Sequence, residues 1–154
     1  MFLRAVKKKN NMRRAFTLIE IMVVVGIIII LVVIAAPSIL RSRIVANEGA
    51  ALANLRTLNS GCQLYHINKE TYPNNLQDLA EPVSSPPYID PALASGHKQG
   101  YEFNYSLIDA ERFTVNANPT TSGLLRGRYF FMDETGMIRA NPSQPAGSSD
   151  EIIK

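Results

Sequence analysis

One cysteine, Cys62, stands in a chain of 154 residues, which excludes an intramolecular disulfide and any cysteine-rich zinc site. Histidine is nearly as scarce, and His66 and His97 have no partner at a spacing that suggests metal binding or acid–base work. No G-x-S-x-G elbow, phosphate-binding loop or H-E-x-x-H helix is present. Asp133-Glu134 are adjacent acids in a turn, and adjacency does not aim two carboxylates at one substrate. Neither enzymatic activity, nor a metal, nor a cofactor is expected.

Basic charge is missing from most of the chain. The formal charge is +3, yet Arg4, Lys7, Lys8, Lys9, Arg13 and Arg14 precede residue 16 with no acid among them. The ten remaining Lys and Arg are outnumbered by all 13 acids, so the body is acidic and only a short leader is basic. A body that grips nucleic acid is therefore disfavoured, and Arg126, Arg128 and Arg139 read as a solvated sheet edge. Apolar residues at 46% against 19% charged argue against a wholly disordered chain.

What the chain does have is one long apolar run. Residues 16–36 read FTLIEIMVVVGIIIILVVIAA, with Glu20 the single ionisable side chain. As a helix the run is roughly 31 Å long, about one bilayer core. Twelve of the sixteen residues from Ile19 to Ile34 are Ile or Val, a composition that resists helix formation in water. In lipid that preference is overridden, because an isolated segment satisfies its backbone polar groups only as a helix. The basic flank before it places the N-terminus in the cytoplasm and the body outside. A cleaved secretory signal and a plain single-pass anchor are the alternatives; the run is long for the first, and Pro37 follows directly on the Ala35-Ala36 candidate site.

Glu20 is the informative residue, since a carboxylate inside a membrane helix is expensive and marks function by default. A cut just before Phe16 creates a cationic α-amino group four residues away, on the same helical face. The same pair can form between neighbouring helices displaced along their axes, where it selects the register. A carboxylate snorkelling to the interface is the structural alternative.

The run Arg13-Arg14-Ala15-Phe16-Thr17-Leu18-Ile19-Glu20 resembles the class III signal of type IV pilins and type II secretion pseudopilins. The resemblance implies cleavage between Ala15 and Phe16 and N-methylation of Phe16 by the prepilin peptidase/methyltransferase. Ala15 stands where the family usually has glycine. Glu20 falls at the family's fifth mature residue, implying a role in aligning incoming subunits, and Pro37 at its twenty-second, implying a helix kink. Also implied are a lipid bilayer before assembly, self-association with other pilins in a helical filament, and an inner-membrane assembly platform. The location implied is the bacterial inner membrane, then an extracellular pilus or a periplasmic pseudopilus.

Beyond Pro37 the pattern stays helical. Ile44, Glu48, Ala51, Leu55, Leu58, Cys62 and Tyr65 recur at spacings of four and three, one stripe on a helix to about Asn68. Five of the nine prolines then fall in residues 71–100, a loop in which Asn74-Asn75 caps a short turn. Alternation predicts strands over 100–108, 112–118, 128–132 and 137–140. The expected fold is α+β: a long N-terminal helix packed on a small antiparallel sheet of about four strands, pilin-like. The expected organisation is a cleaved leader (1–15), a transmembrane helix (16–36), an amphipathic helix (37–68), a loop-and-sheet domain (69–140) and a flexible tail (141–154).

The first functional expectation is a structural subunit of a type IV pilus-like filament. A type II secretion pseudopilin comes second, and an anchored extracytoplasmic binding module third. The resemblance cuts both ways between the first two. Major secretion pseudopilins typically end in an Asp/Gly-rich calcium-binding loop, absent from 141–154, while many type IV pilins close a C-terminal disulfide that one cysteine cannot make.

Overall fold

The computed structural model describes residues 16–121, 123 and 126–153. The basic leader, with Ala15, lies outside the described residues. The chain divides into two compact units between Ser38 and Ile39, directly after Pro37.

Helix α1 spans Leu18–Lys69, with Pro37 inside it. Its last turn closes on Glu70, which adopts φ 60° and donates its N–H to the His66 carbonyl at 2.8 Å, a left-handed helix cap. In the first unit the helix is apolar on every side. Each large apolar side chain from Leu18 to Ile34 is between 47% and 78% exposed. Such a surface is stable only in lipid or among other apolar helices.

In the second unit the predicted stripe becomes the core. Ala51, Leu55, Leu58 and Cys62 are buried, Ile44 and Tyr65 partly so. All of these but Ile44 pack with the inward residues of one six-stranded antiparallel meander, strand order β1 to β6. Its strands are β1 His97–Lys98, β2 Tyr101–Asp109, β3 Arg112–Pro119, β4 Tyr129–Asp133, β5 Ile138–Asn141 and β6 Glu151–Ile152. Tyr101, Phe103, Phe113, Val115, Ala117, Phe130, Met132 and Ile138 all belong to the buried cluster. Pairing Phe103 with Ala117, and Ala117 with Phe130, keeps one face of the sheet apolar across the strands.

Two strands exceed the expected four, and both are two-residue edges too short to show alternation. Strand β1 forms because the chain doubles back through Gln99 and Gly100, both at positive φ, setting Lys98 opposite Tyr101. A side chain at Gly100 would also press on the Asn47 amide. Strand β6 lies in the segment read as a flexible tail. It pairs with β5 through Arg139 and Ile152, and the Ile153 N–H reaches the Ile138 carbonyl at 2.8 Å.

Between α1 and the sheet the proline-rich loop is ordered by local caps. A 3₁₀ turn, Leu76–Leu79, opens on a capping box between Asn75 and Asp78. A short helix α2, Pro91–Ala94, is capped by Asp90, whose second oxygen meets Lys98 Nζ at 2.6 Å. The Tyr105 hydroxyl fastens this loop to the sheet by donating to the Pro73 carbonyl at 2.7 Å.

Candidate functional site

Thr17 immediately precedes α1 and its side chain meets Glu20 three residues on. The Thr17 backbone N–H donates to Glu20 Oε2 at 2.8 Å and the Thr17 hydroxyl donates to the same oxygen at 2.7 Å. The Glu20 N–H returns a bond to Thr17 Oγ1 at 3.3 Å. This reciprocal pairing is a capping box, with the acid beside the positive end of the helix. Thr17 therefore shares Glu20 within the chain, a role that the T-x-x-E spacing already encodes and that reading Glu20 for charge alone missed. Phe16, next to it, is 82% exposed. Pro37 lies in the same helix, 17 residues beyond Glu20.

The second polar site lies in the outer unit. Glu48, the one acid in the apolar stripe, receives the Arg128 backbone N–H at 2.8 Å, Arg128 Nε at 3.0 Å and Arg128 Nη2 at 2.9 Å. The Tyr101 hydroxyl donates to the Arg128 carbonyl at 2.8 Å. Gly127 fits between them because a Cβ there would overlap the Tyr101 hydroxyl. Together these groups fasten the segment leading into β4 to the helix. Arg128, read as part of a solvated edge, is exposed and is also a partner of Glu48, with its guanidinium over the Phe130 ring at 5.6 Å. A charge at a stripe position was the available signal.

The remaining candidates are structural. Cys62 is fully buried among the core residues, and burial pushes its thiol up to about 12. His66 stacks on Tyr72 with ring centres 4.5 Å apart and faces Glu111 at 3.6 Å. Among the described residues no group of three or more His, Cys, Asp or Glu is placed to hold a metal.

An apolar helix that opens on an acid-bearing cap and continues into a helix packed on an antiparallel meander is the pilin-like α+β architecture. Residues 10–36 match the family model for the prokaryotic N-terminal methylation motif. Over 140 residues the chain is 30% identical to type II secretion system core protein G of Escherichia coli K12, covering 91% of this chain and 89% of that protein. The core protein G of Vibrio cholerae is 31% identical over 84 residues, 54% of this chain and 58% of that one. The counterpart in Pectobacterium carotovorum is 31% identical over 74 residues, 48% and 47% of the two chains. No solved structure gives a significant match. The chain belongs to the pilin and pseudopilin family.

With that motif, the apolar helix makes it a single-pass inner-membrane protein. The similarity runs to the secretion branch, and so favours the second functional expectation over the type IV pilus placed first. The signal around residues 13–37 is shared by both branches and could not separate them.

Proposed function

We propose that this chain is a structural subunit of a type II secretion pseudopilus, with no catalytic activity of its own. The observation that carries the reading is the similarity to the Escherichia coli core protein G, which extends through the outer domain rather than stopping at the shared signal. Prepilin peptidase cuts between Ala15 and Phe16 and methylates the new Phe16 amine. The mature protein waits in the inner membrane with its outer domain in the periplasm. An assembly platform then extracts it into a helical filament of like subunits. Pro37 bends the helix at the membrane exit.

Glu20 supplies the selectivity. Within one chain its Oε2 caps the helix through Thr17, while the carboxylate charge pairs with the Phe16 amine of a neighbouring copy. In low-dielectric surroundings an unpaired acid and an unpaired amine are both costly, so the register that joins them is preferred. The apolar sides of the helices replace lipid contacts with one another, which lets the subunit leave the bilayer. The contact is heterologous and does not close, so copies add without limit.

Deleting the gene in its host distinguishes the branches. Periplasmic retention of normally secreted enzymes, with surface pili intact, is the expected result. Loss of surface pili with secretion intact returns the chain to the type IV pilus.

A further inference from the structure

Major secretion pseudopilins typically hold a calcium ion in the C-terminal loop, and the residues of this chain's loop do not fit one. Calcium takes about six to eight oxygen ligands, with carboxylates prominent among them. Two acids, Asp150 and Glu151, lie in residues 142–153. Both oxygens of Asp150 are engaged: Oδ1 accepts from Asn141 Nδ2 at 2.9 Å and Oδ2 from the Gly147 N–H at 2.8 Å. Glu151 is exposed in β6, opposite Ala140. The Asn141 side-chain oxygen is also committed, accepting the N–H groups of Ser143 at 2.9 Å and Gln144 at 3.2 Å.

These bonds form a closed fastening. Asn141 is the last residue of β5, and Asp150 immediately precedes β6. Their side-chain contact ties the base of the loop 142–150, and the Asp150 N–H reaches the Gly147 carbonyl at 3.2 Å to tighten its end. Arg139 Nη1 donates to the Asp150 carbonyl at 3.4 Å from the neighbouring strand. Ala146, in mid-loop, is buried, so the loop lies against the protein and not in water. The Gly147 N–H, and after it the Asn141 amide, hold the Asp150 carboxyl below the usual range, as expected of an anion that already has its donors.

We propose that Asn141 and Asp150 form a hydrogen-bonded latch that fastens the loop 142–150 where major secretion pseudopilins typically hold calcium, so that the outer domain keeps its last strand without a divalent cation. The inference rests on outer-domain geometry alone and stands whichever filament the subunit joins.

Thermal unfolding of the full-length protein in detergent, in millimolar calcium chloride and in EDTA, tests it. The wild-type midpoint agrees within roughly 1 °C between the two conditions, because a ligand without a site adds no stability. Asp150→Ala lowers the midpoint by roughly 4 °C in both, exposes 142–150 to limited proteolysis, and is not rescued by calcium. Asn141→Ala, which keeps the Gly147 bond but leaves the Ser143 and Gln144 N–H groups without their acceptor, shows a loss of the same kind. A saturable rise of the wild-type midpoint with calcium overturns the proposal. So does an Asp150→Ala protein that matches the wild type in both melting and proteolysis. Failure of secretion or assembly with unchanged melting bears only on the filament reading.

Discussion

Replacing Glu48 by Ala removes the acceptor of three Arg128 donors at once, at 2.8, 3.0 and 2.9 Å. The Glu48 side chain is 15% exposed and that of Arg128 45%, so the pair is neither dry nor fully screened. An exposed ion pair contributes about 0–1 kcal/mol, and breaking a buried one costs about 3–5 kcal/mol. The intermediate burial, with a backbone N–H left without its acceptor, places the loss near 2 kcal/mol. For a domain of this size that lowers Tm by roughly 6–12 °C. Circular dichroism melts of Glu48→Ala, Arg128→Ala and the double variant give the coupling between the two side chains. A coupling of about 1 kcal/mol or more is expected, and one within the roughly 0.3–0.5 kcal/mol seen for independent sites refutes the clamp. Glu48→Gln retains an oxygen for the Arg128 N–H but loses the charge, and falls between wild type and Glu48→Ala.

Burial raises the Cys62 thiol to about 12 and raises the Tyr101 and Tyr105 hydroxyls as well. A group whose folded value is raised stabilises the fold below its unfolded value and loses that contribution as pH climbs toward the folded one. That contribution is therefore level to about pH 8.5 and is then lost toward pH 12, with the thiol alone giving a slope of up to about 1.4 kcal/mol per pH unit; guanidinium unfolding across that range measures it. A thiol reagent near neutral pH labels Cys62 only after denaturant is added. Glu20→Ala is cleaved by prepilin peptidase but fails to enter filaments, as sheared-filament immunoblots will show. Glu20→Gln keeps a capping partner for Thr17 without the charge, so its normal assembly would remove charge pairing from the mechanism.

The long helix and the paired face of the sheet were legible because both follow a strong period. The apolar stripe from Ala51 to Cys62 and the alternation of Tyr101, Phe103, Phe113 and Val115 were read from spacing and are buried together. The edge strands were not, since His97–Lys98 and Glu151–Ile152 are two residues each, too short to alternate, and owe their pairing to the Gln99-Gly100 turn and the loop before Asp150. Glu20 stood out by its chemistry, but its engagement with Thr17 needed the capping rule rather than the hydropathy profile. Glu48 broke the stripe in plain view, and its partner lies 80 residues away, a separation no local pattern spans. The leader is shared by both branches of the family, and the two C-terminal features that tell them apart, an Asp/Gly-rich calcium-binding loop and a disulfide, are both missing from this sequence.

Intact-mass analysis of the subunit recovered from assembled filaments probes the central claim, that Glu20 meets the processed amine of an adjoining copy. A chain beginning at Phe16 and carrying one added methyl group on that nitrogen is the predicted product. A chain still beginning at Met1, or one starting beyond Ala36, contradicts the account, because the first has no Phe16 amine and the second has lost Glu20 as well.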